Sequence, residues 1–240
     1  MKLERRDKVK STNDGAQNSG RRAAVNRTGA KGGGASRTRR KGQTRAAITR
    51  RTILDAALEE FAEKGFEGAS TRLIGARAGI DHTLITYHFR NKSALWKAVA
   101  EDSFQAIEAL WDAALPPGHT YTPAERVRAE FRTFLQFTMG HTAFHHFMLR
   151  ENQGNSPRLQ WLVKRLLHRT MDRVVPQIKE AQAEGQLIDG DPVLLYYMLV
   201  GMTSVLSSLS GEIRLTMSKP PTDEASLHRY WDLIERSVFR

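Results

Sequence analysis

From Thr44 onward, apolar residues return at helical spacing. Ile48, Ile53, Leu54, Ala57, Leu58 and Phe61 fall at three- and four-residue steps, which places them on one helix face. Gly65 reads as the C-terminal breaker of that helix, and Phe66 as a residue folding back on the same core. A short second helix is predicted over 71–78, capped by Ser70 or Thr71, with Leu73, Ile74 and Ala78 facing inward. Gly79-Ile80-Asp81 reads as a tight turn, with Asp81 capping a third short helix over 82–89. A fourth helix begins near Asn91-Lys92, ends near Ala114 and carries Leu95, Val99, Phe104, Ile107 and Leu110.

Pro116-Pro117-Gly118 breaks the pattern. Further helices are predicted over 123–139, 141–151, 156–185, 191–210 and 223–239. Pro123, Ser156 and Asp191-Pro192 suit their starts, while Gly140, Gly154, Gly185 and Gly211 suit their stops. Pro176 falls inside the 156–185 pattern and is expected to kink or divide it. There is no strand-like alternation and no internal repeat, so the fold class is all-α.

Charge changes this picture at one end only. The 240-residue chain has a formal net charge of +11, and 13 Lys/Arg against 3 Asp/Glu lie within residues 1–43. The rest is close to neutral, so the high isoelectric point says little about the folded part. Gly32-Gly33-Gly34 and Arg37-Thr38-Arg39-Arg40-Lys41 cannot bury a core, and residues 1–43 read as a disordered basic tail. Two roles stay open for it: a solvated extension, including a start codon placed too early, or an arm on DNA phosphates or in the minor groove.

The absence of cysteine excludes disulfides, thiolate zinc sites and cysteine nucleophiles, and fits a reducing cytoplasm. No apolar run is long enough to span a membrane; the longest, 193–209, is interrupted by Tyr, Thr and Ser. The basic N-terminus lacks the apolar stretch of a secretory signal. The expected location is therefore cytoplasmic, with no membrane partner.

The stretch from Ser70 to Leu95 has the layout of a helix-turn-helix: short helix, glycine turn, short helix. In that motif the first helix braces on the DNA backbone and the second offers its N-terminal residues to base edges. Ala76 and Ala78 are small enough for close helix packing, Gly79 permits the turn, and Ile80, Ile85 and Phe89 fill the small core. His82, Thr83, Thr86, Tyr87 and His88 are left facing outward as candidate contacts to bases and phosphates.

The spacing Ala78-Gly79-Ile80-Asp81-x-x-Leu84-Ile85-x-Tyr87-His88-Phe89-x-x-Lys92-x-x-Leu95 resembles the signature of the tetracycline-repressor (TetR) family. The run Ile53–Phe66 is similar to that family's first helix, so the likeness covers about a fifth of the chain. The C-terminal part is similar only in the number, length and rhythm of its helices. The resemblance implies a homeodomain-like three-helix DNA-binding domain over 44–91, followed by a helical ligand-binding and dimerisation domain over 92–240. By position, it implies backbone and some base contacts from Thr71 and Arg72, base reading by His82, Thr83 and Thr86, and phosphate contacts from Tyr87, His88 and Lys92. Many members carry a second aromatic where His88 stands, though Tyr-His-Phe is itself a familiar variant of the motif. Arg77 and Arg90 read as solvated.

The implied function is a dimeric repressor on a palindromic DNA operator, released by a small-molecule effector; activation is equally compatible. The alternative is a ligand-independent DNA-organising protein with the same fold. Helix 191–210 is apolar around much of its circumference, and Gly201, Ser204, Ser207 and Ser208 allow close helix approach. The last helix carries Leu227, Tyr230, Trp231, Ile234 and Val238. Two such helices per subunit suit a four-helix homodimer interface, or else they fill the monomer core.

Phe104, Trp111, Phe131, Phe134, Phe137, Phe144, Phe147 and Trp161 make an aromatic interior. Gln136, Thr138, His141, His145 and Tyr197 supply polar groups. The candidate pocket set is Phe104, Trp111, Phe134, Phe137, His141, His145, Trp161 and Tyr197. His141 and His145 are spaced to share a helix face, but only Glu151 stands nearby as a further ligand, and no metal or other cofactor is expected. There is no phosphate-binding glycine loop, no His-Glu-x-x-His and no nucleophile elbow, so no catalytic role is expected.

Overall fold

A computed structural model describes residues 33–218 and 223–240. Within them the chain is helical: α1 (Gly33–Gly68), α2 (Thr71–Ala78), α3 (His82–Phe89), α4 (Lys92–Ala114), α5 (Pro123–Gly140) and α6 (Thr142–Glu151). There follow α7 (Pro157–Leu162), a π-helical turn (Val163–Leu167), α8 (His168–Ala183), α9 (Pro192–Ser208), α10 (Ser210–Thr216) and α11 (Glu224–Val238). The described fold begins at Gly33, within the stretch expected as a tail; residues 1–32 of that expectation lie outside the described residues.

Most ends sit where local chemistry puts them. Ser70, Asp81, Asn91, Ser156, Asp191 and Asp223 each accept a hydrogen bond from a backbone N–H of the first turn of the following helix. Thr122 and Glu125 form a reciprocal capping box ahead of α5, with Pro123 in the first turn. Gly65 leaves the helical conformation at φ 68°, which breaks α1 where expected.

Two expectations on helix continuity are corrected. The irregularity in the 156–185 segment lies at the π-helical turn, where one extra residue is accommodated, whereas α8 runs on through Pro176. The predicted 191–210 helix ends at Ser208, and α10 departs from α9 at 62°.

The core is contiguous from α1 to the C-terminus of the chain. Phe61, Trp96, Phe147, Leu162, Leu199 and Trp231 are among its fully buried side chains. Helix α5 packs against α4, α8 and α9 and forms the centre of the larger part. The end of the chain is stitched down: Ile188 N donates to Val238 O (3.0 Å) and Arg240 N to Gln186 O (2.9 Å), around buried Leu187 and Phe239.

Candidate DNA-binding surface and effector cavity

The helix-turn-helix rests on the second half of α1. Ile53, Leu54, Ala57 and Phe61 are buried with Ile74 of α2, Ile85 and Phe89 of α3, and Leu95 of α4. The close approach of α2 to α3 occurs at Gly75. A Cβ there would lie 3.1 Å from the Ile80 carbonyl oxygen and 3.2 Å from the His82 nitrogen, both backbone atoms. Gly79 takes φ 65° and makes the turn. Arg77 locks α2 onto α1: its guanidinium donates to Glu59 (3.0 Å), Glu60 (3.2 Å) and Glu63 (2.8 Å). These bonds hold the Glu63 carboxyl below its ordinary range and push the Arg77 pKa up.

On α3, His82, Thr83, Thr86 and Tyr87 are exposed, with Tyr87 at 81%. Leu84 is exposed beside them. The Thr83 hydroxyl donates to Asp81 Oδ1 (2.6 Å), so part of its hydrogen-bonding capacity serves the helix cap. His88 is half-buried, edge-on to Tyr87 with ring centroids 5.2 Å apart. Arg72 is exposed and Thr71 half-buried at the start of α2. Lys92 differs: its ammonium donates to the carbonyls of Ala69 (3.0 Å) and Glu67 (3.4 Å) and lies 4.6 Å from the Phe66 ring centroid.

The larger part holds a cavity of about 450 Å³. Phe104, Ile107, Glu108 and Trp111 of α4 form one wall, with Phe131 and Phe134 of α5 beside them. Phe144, His145 and Met148 of α6 face Tyr196, Tyr197 and Ser204 of α9. Trp111 donates its indole N–H to the Glu130 carbonyl (2.8 Å) and presents hydrocarbon to the space. Burial, and to a lesser degree His146, lowers the His145 pKa, which favours the neutral ring; its Nε2 is in hydrogen-bond contact with the Ser208 hydroxyl. Among the described residues, no group of three His, Asp or Glu side chains is placed to hold a metal ion. No single described helix is long and apolar enough to cross a membrane.

Residues 53–99, the module just described, match the family model "Bacterial regulatory proteins, tetR family". The chain is a TetR-family transcriptional regulator. It is 23% identical over 206 residues to the HTH-type transcriptional regulator RutR of Escherichia coli (strain K12), covering 85% of this chain and 95% of RutR. It is 34% identical over 84 residues to the class A tetracycline repressor protein from transposon 1721 of Escherichia coli, covering 35% of this chain and 33% of that one. The fold is that of AibR, solved in complex with isovaleryl coenzyme A and operator DNA: TM-score 0.62 at 19% identity, covering 79% of this chain and 97% of AibR. TetR-family regulators are DNA-binding transcriptional regulators and not enzymes.

Within this TetR-family chain, the structure sorts the sequence-derived residues. Phe104, Trp111, Phe134, His145 and Tyr197 line this cavity. Phe137, His141 and Trp161 do not. Helix α5 ends in the His141 cap, where the His141 ring stacks on Phe137 at 4.4 Å. Trp161 sits edge-on to Trp96 (5.9 Å) with Lys97 over its ring (5.2 Å). In the DNA module, Gly75 and not Ala76 is the contact point; Ala76 and Leu73 are exposed. Arg77, expected to be solvated, is a brace, and Lys92 is turned inward. Tyr196 and Gly75 were missed: the first stood beside the named Tyr197, and the second was overshadowed by the turn glycine Gly79.

Proposed function

We propose that the protein is a repressor that binds a palindromic operator as a homodimer in the cytoplasm and is released by a small-molecule effector. The observation that carries this is α4. One helix starts at the DNA module, where Lys92 is tied to the end of α1, and runs on to form the cavity wall with Phe104 and Trp111. Occupation of the cavity therefore acts on the same rigid element that seats the recognition helix. That AibR is described with both an acyl-CoA and operator DNA supports this pairing of functions.

The proposed division is a DNA-binding domain over 44–91 and a regulatory domain over 92–240. Thr71, Arg72, His82, Thr83, Thr86, Tyr87 and His88 are the proposed DNA contacts. The homodimer forms through α9 and α11. Leu194, Tyr197, Met198 and Leu209 make an exposed apolar stripe on α9, and Leu233 is exposed on α11. The basic N-terminal segment adds sequence-independent phosphate contacts, so removing residues 1–32 flattens the salt dependence of DNA binding.

The test combines sedimentation with selection of duplexes from a randomised pool. A mass twice the 27.1 kDa of the chain, together with a selected palindrome, supports the reading. A monomer, or uniform coating of DNA without a preferred sequence, rejects it, and the second result favours the DNA-organising alternative. Leu194→Glu is expected to shift the mass toward the monomer.

A further inference from the structure

We infer that the cavity takes an uncharged, largely aromatic molecule that offers a hydrogen-bond acceptor to the Tyr196 hydroxyl, and that it turns anions away. The inference rests on the effector-responsive reading above and adds the chemical class of the effector. Three observations on the cavity wall lead to it.

The first is its charge. No lysine or arginine lines the space, so a carboxylate or phosphate placed there has no counter-charge. The one formally charged side chain in the wall is Glu108, and its carboxylate is already held by Arg169 at 2.5 Å. A cation would find ring faces there but no unpaired carboxylate. The neutral form of His145 is favoured by its burial.

The second is its surface. Phe104 and Phe144 meet edge to face at 5.8 Å, and Phe131 and Tyr196 at 6.2 Å. With Trp111 and Phe134 they surround the space with ring faces and edges, which suit a flat π system. The volume, about 450 Å³, lies in the range for drug-sized molecules, ~300–1,000 Å³.

The third is its hydrogen bonding. Most polar groups in the wall are occupied by the protein. Thr170 donates to Leu166 O (3.3 Å), Ser204 to Val200 O (2.7 Å), and Asn152 to Met148 O (3.0 Å). The Tyr197 hydroxyl points at Met171 Sδ (3.9 Å). Tyr196 is the exception. The residue is 5% exposed, and its hydroxyl has no hydrogen-bond partner among the described residues. Burial pushes its pKa up, so it is a neutral phenol. An O–H in the cavity wall without a protein partner is free to donate to a ligand carbonyl or ether oxygen.

The test is fluorescence titration of the full chain, without DNA, with three dyes of comparable size. They are Nile red (neutral, with a carbonyl), ethidium (cationic) and 1-anilinonaphthalene-8-sulfonate (anionic). Nile red is expected to bind once per chain with blue-shifted emission, and more tightly than either charged dye. Tyr196→Phe is expected to weaken it about twofold to tenfold, the worth of one neutral hydrogen bond. Gly201→Phe blocks binding, because a Cβ at Gly201 meets nothing within 4 Å and the ring has room to enter the cavity. Leu167→Trp gives the same block from another wall, with the sedimentation mass unchanged.

Tighter binding of ethidium, abolished by Glu108→Gln, overturns the inference in favour of a cation site. Tighter binding of the sulfonate, removed by Gly201→Phe, overturns it in favour of an anion site. Nile red binding that ignores both filling variants also rejects it. The effector reading fails separately: Nile red then binds as described and responds to Tyr196→Phe, yet saturating dye leaves the complex with the selected duplex intact.

Discussion

Arg150 of α6 donates from Nε to the carbonyl oxygen of Ala62 of α1 at 2.6 Å, and from a terminal nitrogen to the Glu63 carbonyl at 2.5 Å. These carbonyls lie just before the break at Gly65, where helix acceptors lack intrahelical partners. The same helix, α6, contributes Phe144, His145 and Met148 to the cavity. One side chain thus ties the cavity wall to the helix that supports the recognition module. Arg150→Ala is expected to lower stability to urea by about 1–2 kcal/mol, less than a buried charged bond, because Arg150 is exposed. It is also expected to reduce the effect of a cavity ligand on operator affinity. A variant that keeps the full ligand response shows that the link carries no signal.

The contact of α2 with α3 is set by one hydrogen atom. Gly75→Val places carbon 3.1 Å from the Ile80 carbonyl oxygen, against backbone that cannot move without opening the turn. The expected outcome is a loss of about 1–3 kcal/mol in thermal or urea unfolding, with a larger loss of operator binding. Ala76→Ser, at an exposed neighbouring position, is expected to change neither.

Exposed α3 residues divide by chemistry. Tyr87→Phe is expected to weaken binding to all duplexes alike, as loss of a phosphate contact does. Changes at His82 or Thr86 are expected to alter which duplex is preferred, by about 1–3 kcal/mol for a good base contact. Lys92→Ala is expected to act through stability, because its ammonium is engaged by Ala69 and Glu67 inside the module. Competition against a library of operator substitutions separates these outcomes. Reshuffled preference in Tyr87→Phe, with uniform weakening at His82 and Thr86, means that α3 is rotated on the DNA.

Local features of this fold were legible in the sequence because their causes are local. Asp81 caps α3 and Gly79 turns the chain through neighbours a few residues away. Helix phase was less legible in α2, since eight residues barely cover two turns and both Leu73 and Ile74 suit an inward position; only Ile74 is buried. Long-range pairing was not legible at all. Arg77 looks like any surface arginine until α1 brings three glutamates to it, and nothing near Arg150 in sequence points to Ala62. The cavity was half legible for a related reason. Aromatic residues at helical spacing announce a core, but whether Tyr196 or Phe137 faces a void depends on how α5 and α9 are turned against each other.

His145 gives the pH prediction. Burial lowers its pKa from the ordinary 6.5, with the nearby His146 adding to the effect. At a pH just below 6.5 the unfolded chain therefore binds a proton at this position more readily than the folded chain does. The stabilisation is fully present above pH 6.5 and is lost as pH falls through the lowered folded value. The carboxylate caps with depressed pKa, Asp81, Glu125 and Asp223, lose their contributions only in the more acidic carboxylate range, so the two windows separate. Urea unfolding from pH 8 to pH 5 is expected to show a flat region above 6.5 and a decline below it. A protonated His145 also places a charge in the cavity wall, so Nile red affinity is expected to fall over the same window. His145→Gln keeps a polar group near Ser208 without an imidazole charge, and is expected to flatten both curves. If the decline persists unchanged in that variant, the titrating group lies elsewhere and His145 does not set the acid limit of the cavity.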